Sequence, residues 1–434
     1  MSYFEFIKSK MRDNPRACII DGYTLSSELF KFQDSIVRWA LRRGRAAIFA
    51  DCGLGKTFMQ LEWARVVTEH TNLPVLILCP LAVAQQTIKE GLRFGISAQY
   101  LREYNGETGI IVTNYEMVDH FDLQRFSGLV LDESSILKSF NGKTRTKILR
   151  LSEMVDFRLA CTATPAPNDH MELGNHAQFC GVMTQSEMLA SFFIHDTSGN
   201  TQSWRLKGHA EESFWAWVCT WAVCMSKPSD VGCSDDLYSV PELTIEEHIV
   251  STPMEPAAGQ LFQFDARSLS ELRSEQRRTV PYRAAQVKSI LDQDKDSPWL
   301  VWCHTNAEAD ALMAVLDDAV EIRGSEKNET KAAKMMQFTD GAIRVLVTKP
   351  SIAGFGMNWQ HCNHVAFVGL THSYEQYYQA VRRCWRFGQK KTVHSHIVVA
   401  ETEMSVFTSI MRKEHDHEKM AKAMASAMSA ISIE

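Results

Sequence analysis

The run DCGLGKT, residues 51–57, follows an apolar stretch and precedes a segment with helical spacing. Gly53 and Gly55 let the backbone curl, so that its N–H groups, that of Leu54 included, face an anion at a helix N-terminus. Lys56 would then reach the β- and γ-phosphates of a nucleoside triphosphate, and the Thr57 hydroxyl would hold magnesium. Ala50 stands where the strict phosphate-loop pattern has a glycine. The bland alternative is a tight glycine turn with a solvated lysine, and the strand–loop–helix setting argues against it.

Two carboxylates, Asp132 and Glu133, close the apolar run GLVLDE at 128–133. In a parallel α/β sheet that end of a strand is where ligands bind. Asp132 suits a magnesium ligand acting through water, and Glu133 suits the group that orients and deprotonates an attacking water. Taken alone such a pair is more often a helix cap; its place after a phosphate loop reverses that reading. The next run ends in TATP, 162–165, where the hydroxyls of Thr162 and Thr164 could sense Glu133. Far downstream, QAVRRCWRFGQ at 379–389 sets Arg383 and Arg386 three apart, expected on one helix face. Two planar guanidinium forks suit a triphosphate contacted across a cleft, although a solvated basic face is the usual reading of such a helix.

Positioning these groups takes a scaffold, and the apolar runs supply its outline. AAIFAD, VLILCP, GIIVTN, GLVLDE and FRLACTAT recur between residues 46 and 164, each ending in polar or turn residues, with helix-compatible stretches between them. WLVWC, VEIRG, IRVLVTK, HVAFVG and HSHIVVA repeat the pattern between 299 and 400. Strands apolar on both faces imply parallel sheets covered on both sides, hence an α/β fold in two units. The expected boundaries are 1–240 and 241–434, with a Trp- and Phe-rich helical insertion over about 166–240 at the end of the first unit. The C-terminal segment is expected to be a helical tail on the second.

The chain has 434 residues, 45% of them hydrophobic and 23% charged, the balance of a globular protein. No stretch reaches the ~20 apolar residues that cross a bilayer, and no secretory leader is evident, so no membrane partner is expected. Eleven cysteines are scattered without a paired framework, which points to reduced thiols and a cytoplasmic location. Cys219, Cys224 and Cys233, or the HCNH run at 361–364, lack the paired spacing of structural zinc. The net charge of −6 leaves room only for local basic stripes, one over Lys31, Arg38, Arg42, Arg43 and Arg45, another over Lys138, Lys143, Arg145, Lys147 and Arg150.

Together these runs resemble the Swi/Snf-type branch of helicase superfamily two, from about residue 28 to 400. Gln33 matches the glutamine that reads adenine, DCGLGKT motif I, CPLA at 79–82 motif Ia, and TNYE at 113–116 motif Ib. DESS with Lys138 downstream matches motif II, TATP motif III, and VWCH at 301–304 motif IV. KPSIAGFGMNWQ at 349–360 and the segment from Gln379 to Gln389 resemble motifs V and VI. The resemblance implies two RecA-like lobes, ATP with magnesium, and movement along mainly duplex DNA; a strand-separating or annealing DNA or RNA helicase is the alternative. It implies further that Gly354 lies at the nucleotide, that Pro80, Asn114, Lys138, His304 and Thr348 hold nucleic acid, and that Thr162, Thr164 and Gln379 couple the lobes. Motif II departs from the family in ending Ser134-Ser135 rather than in a small residue and histidine. The compact form is similar to short versions from bacteriophages and prophages, which implies a monomer in bacterial or phage-infected cytosol. Protein partners are left unspecified.

Overall fold

A computed structural model describes residues 20–138, 142–196, 203–236, 238–253, 269–353 and 357–429. The chain divides into two compact units, one running to Tyr238 and taking in the segment from Asp416 onward, the other Ser239–His415.

The first unit opens with α1 (Lys31–Arg43), β1 (Arg45–Ala50), α2 (Lys56–Thr71), β2 (Val75–Cys79), α3 (Leu81–Arg93), β3 (Ala98–Tyr100), β4 (Ile110–Asn114) and β5 (Gly128–Asp132). It continues with α4 (Lys143–Ser152), β6 (Phe157–Thr162), α5 (Leu173–Phe179), α6 (Gln185–Phe192), β7 (Phe193–Asp196), β8 (Ser203–Leu206), α7 (Glu211–Cys219) and β9 (Ala222–Met225). Seven strands form one sheet in the order β3-β4-β2-β5-β6-β1-β9, every neighbouring pair parallel. Alternation along each strand feeds two cores. Ala47, Phe49, Leu76, Leu78, Leu129 and Leu131 enter one, while Ala46, Ile48, Val75, Ile77, Val130 and Cys161 enter the other. That is the doubly covered sheet the continuous apolar runs imply.

The expected helices of the insertion are present as α5, α6 and α7, and the segment holds more. β7 and β8 make an antiparallel pair, and β9 is the last strand of the main sheet, bonded to β1. Trp215, Trp217 and Trp221 are 4%, 0% and 2% exposed and fill the first core.

In the second unit follow β10 (Leu243–Val250), α8 (Leu269–Leu291), β11 (Trp299–Trp302), α9 (Asn306–Val315), β12 (Ala319–Glu321), α10 (Asn328–Thr339) and β13 (Val345–Thr348). Then come α11 (Pro350–Ala353), β14 (His364–Phe367), α12 (Tyr374–Val381), β15 (Val393–Ala400) and α13 (Met404–Ser429). Six parallel strands are ordered β10-β15-β14-β11-β13-β12. Fully buried Arg283 on α8 ties this unit together, with Glu308 at 2.9 Å and Glu403 at 3.4 Å. A β-carbon on Gly369 would lie 2.3 Å from its Nη1, so that position takes no side chain.

The tail corrects one expectation. The sequence reading put all of 241–434 in the second lobe, but the part of α13 from Asp416 belongs to the first unit. The cause is a methionine stripe at four-residue spacing: Met420, Met424 and Met428 are each at most 2% exposed within that unit's cores. Such a stripe is stable only against a core.

Candidate active site

The phosphate-loop segment leaves β1 at Ala50 and enters α2 at Lys56. Gly53 and Gly55 have φ of 91° and 77°, a left-handed backbone that glycine adopts without strain. Lys56 Nζ donates to the carbonyls of Ala50 at 2.7 Å and Asp51 at 3.2 Å, so the ammonium lies over the loop. Gln33 on α1 clamps the turn: its Nε2 donates to the Leu54 carbonyl at 3.0 Å, and its Oε1 accepts from the Phe30 N–H at 3.0 Å. Thr57, in the first turn of α2, is partly buried.

Asp132 ends β5, two strands from β1 with β6 between, so the loop and the carboxylates share the C-terminal edge of one sheet. At 5% exposure its carboxyl is pushed up to about 7, by burial first and then by the neighbouring Glu133, with the Lys56 charge opposing. Tyr115 OH donates to the Asp132 carbonyl at 2.7 Å and fixes the strand end. Glu133 itself has φ 55°, an uncommon conformation for a side chain of its size and a strain that tends to gather at functional positions. Thr162 Oγ1, at the end of β6, donates to Glu133 Oε2 at 3.4 Å and accepts from the Thr164 N–H at 3.1 Å. Thr162 and Thr164 are both fully buried. A crowded carboxylate pair is the charge arrangement a divalent cation relieves, and hydroxyl plus carboxylate is a hard-oxygen set. These residues therefore fit magnesium.

One contact here went unforeseen. Ser134 Oγ lies 3.0 Å from Nε2 of His176, a buried histidine of α5 whose ring meets Phe49 edge-on at 5.1 Å. Burial lowers its pKa to about 4, which keeps the imidazole neutral. Nothing in the spacing of residues 134 and 176 announces this contact.

In the second unit the arginine pair departs from expectation. α12 ends at Val381, so Arg383 and Arg386 sit in the turn after the helix and not on one helix face. The turn is tightened by the N–H groups of Cys384 and Trp385, both bonding to the Val381 carbonyl, and by Arg382, whose guanidinium lies 4.1 Å over the Trp385 ring. Burial and the two neighbouring arginines lower the pKa of Arg382 to about 9. Arg383 is 5% exposed and donates to the carbonyls of Gln379 at 2.9 Å and Met357 at 3.2 Å. Arg386 is more open and donates to Asn358 Oδ1. Gln379 is buried, and its Nε2 has no hydrogen-bond partner among the described residues. Gly354 lies outside the described residues.

Of the nucleic-acid candidates, Pro80 caps α3 and Asn114 ends β4, each at the C-terminal edge of the first sheet. Asn114 Oδ1 accepts from Tyr100 OH at 2.9 Å, and its amide donates to Glu116. Lys138 closes a short 3-10 turn, Ser134–Lys138. His304 follows β11, with a lowered pKa caused mainly by burial, and its backbone N–H is held by Glu308 at 2.8 Å. Thr348 ends β13 fully buried, with no partner for its hydroxyl among the described residues. The basic stripes are largely taken up within the fold. Arg38 pairs with Asp34 at 2.7 Å, and Arg45 bonds to the Asp156 carbonyl at 2.8 Å. Arg145 joins α4 to Asn175 and Gln185 at 2.9 and 3.0 Å, and Lys147 pairs with Asp119.

Comparison with known proteins fits this geometry. Residues 283–388 match the helicase conserved C-terminal domain. The chain is 25% identical over 199 residues to a SWI/SNF-related matrix-associated actin-dependent regulator of chromatin subfamily A-like protein 1 of Drosophila melanogaster, covering 43% of this chain and 26% of that protein. It is 26% identical over 185 residues to human TATA-binding protein-associated factor 172, covering 34% of this chain and 10% of that one. The chain thus spans about a quarter and a tenth of these relatives' lengths. Among solved structures, Saccharomyces cerevisiae Dbp5 bound to RNA and ADP BeF3 aligns with a TM-score of 0.55 at 11% identity, over 91% of this chain and 93% of that one, which establishes the fold. The chain thus combines two parallel α/β sheets and a phosphate-loop segment facing a carboxylate pair with a match to the helicase conserved C-terminal domain over residues 283–388, and is similar over part of its length to a SWI/SNF-related protein.

Proposed function

We propose that the chain is a motor that couples ATP hydrolysis to movement along duplex DNA. The observation that carries this reading is the shared sheet edge, where the charge of Lys56 acts on Asp132 while Glu133 is held beside it by Thr162. The loop Gly53–Thr57 takes the phosphates. Gln33 reads adenine: after its two intramolecular bonds, one amide proton and one carbonyl lone pair remain, the complement of adenine N7 and the N6 amino group. Thr57 and Asp132 hold magnesium, which when bound neutralises developing charge on the phosphates. Glu133 takes the proton of the attacking water.

From the second lobe, Arg386 supplies positive charge to the γ-phosphate, and Arg383 positions the turn that carries it. Thr162, Thr164 and Gln379 relay the state of the site. Pro80, Asn114, Lys138, His304 and Thr348 contact the phosphate backbone, so binding is tolerant of sequence and sensitive to salt. Duplex DNA as the track is drawn from the motif resemblance, and the similarity to a protein named as a regulator of chromatin is consistent with it. We further propose a monomer of phage or prophage kind working in bacterial cytosol. The test is steady-state ATP hydrolysis with duplex DNA, single-stranded DNA or RNA. Stimulation by duplex DNA together with triplex displacement is expected. Stimulation by RNA or single strands alone, with strand displacement, would replace this reading by that of a strand-separating helicase.

A further inference from the structure

The second sheet carries a group of titratable side chains that the motor chemistry does not use. On β10 and β15, parallel neighbours, Glu246 pairs in register with His396 and Thr244 with His394. On β14, His364 stands opposite His394, and on β11 Trp299 stands opposite His364. Side chains on directly paired residues share a sheet face, so all of these project to the same side. They gather toward the N-terminal ends of β11, β14 and β15, whereas the motif IV and V segments leave the C-terminal ends of β11 and β13.

The donor atoms are close. His248 Nε2 lies 3.1 Å from His396 Nδ1, and Glu246 Oε2 lies 3.4 Å from the same nitrogen. One donor atom from each of Glu246, His248 and His396 falls within 4.8 Å of the others. Zinc bonds of ~2.0–2.1 Å at the tetrahedral angle set neighbouring donors ~3.3 Å apart, so two of the three edges already have that length. Two imidazoles and one carboxylate form a donor set for zinc and similar first-row divalent ions, not for magnesium or calcium.

The surroundings fit as well. Glu246 is exposed, His248 intermediate and His396 buried, which leaves an entry path and room for a water in the fourth position. His394 Nδ1 lies 2.8 Å from Thr244 Oγ1 and 3.4 Å from Glu246 Oε1, so the carboxylate has an orienting partner. The Trp299 ring, centred 5.3 Å from that of His396, forms an apolar wall.

We propose that Glu246, His248 and His396 bind one zinc-class divalent ion, which fastens the edge strand β10 to β15 at a site separate from the nucleotide. The probe is cobalt(II) chloride, added to the full chain after chelation and dialysis. One equivalent is expected to give visible d–d absorption without a thiolate charge-transfer band, to be displaced by zinc chloride, and to raise the melting temperature. Glu246→Gln and His248→Ala, both at accessible positions, should lose the absorption and the melting shift while keeping the wild-type circular dichroism. His396→Gln should do the same if it folds. A thiolate band, or absorption and melting shift unchanged in both accessible variants, would overturn the proposal by moving the ion elsewhere. Absence of stoichiometric binding to the wild-type chain would overturn it outright.

Discussion

Gln33 stands so close over Gly55 that a β-carbon at residue 55 would lie 2.3 Å from its amide nitrogen. Gly55 also has φ 77°. Gly55→Ala therefore meets both a steric and a backbone obstacle, and should destabilise the first lobe by about 1–3 kcal/mol while weakening ATP binding. Gly55→Ala with Gln33→Ala should recover only the steric part. Urea melts and nucleotide titration check this; wild-type affinity in the single variant would remove the clamp from the account.

Lys56→Ala should reduce turnover by about a hundredfold or more, because the phosphates lose their cation. Glu133→Gln should bind ATP and hydrolyse it roughly 10²–10⁴-fold more slowly, as expected when a general base is lost. Single-turnover hydrolysis beside an equilibrium binding measurement separates the two effects. Normal single-turnover rates in Glu133→Gln would reassign the base.

The two arginines of the turn should behave differently. Arg386→Ala should lower hydrolysis by about 10³-fold with little change in nucleotide affinity or melting temperature. Arg383→Ala should instead unfold more easily, since it strands the buried carbonyl of Gln379, at about 1–3 kcal/mol for a group left unsatisfied, and frees the part-buried carbonyl of Met357. The same melting temperature in both variants would erase the distinction.

Protonation of His176 should couple stability to pH. Its pKa falls from 6.5 to about 4 on folding, so above pH 6.5 both states are neutral and the contribution is complete. As pH drops from 6.5 toward 4 the unfolded chain gains the proton first, and stability is lost, by roughly 3 kcal/mol over that window. Urea melts of His176→Gln should show a shallower decline over the same range. Parallel curves for the two proteins would mean that the imidazole is not buried neutral.

Arg283 offers a further check on the second lobe. It serves Glu308 and Glu403 while fully buried, so Arg283→Ala leaves two carboxylates without their charge partner and should cost about 3–5 kcal/mol. Glu308 also holds the His304 N–H, so DNA-stimulated turnover should fall with stability. Denaturant midpoints and stimulated ATPase rates read the two effects.

The sheets were legible in the sequence because runs such as VLILC and WLVW are apolar at every position, and only a doubly covered parallel strand asks for that. The phosphate loop and its carboxylates were legible because their chemistry is local in sequence. β9 was not: AVCM follows α7 after only Thr220 and Trp221, so its apolar run merges with that of the helix before it. The extent of α12 was misread because the arginine spacing fits a helix, whereas the turn is set by tertiary bonds such as that of Arg383 to Met357. The contact of Ser134 with His176 depends on how α5 packs against the turn after β5, and the imidazole group on β10, β14 and β15 on strand register, neither of which spacing alone reveals.

The place of β9 bears on how the first lobe can be shortened. Ala47, Ile48, Phe49 and Ala50 of β1 pair with residues 222–225 along their outer side. A chain cut at residue 166, or spliced across 166–240, would leave the hydrogen-bonding groups of a hydrophobic strand facing water. Bare strands of that kind recruit other chains, so such a truncation is expected to precipitate even where its remaining core is sound.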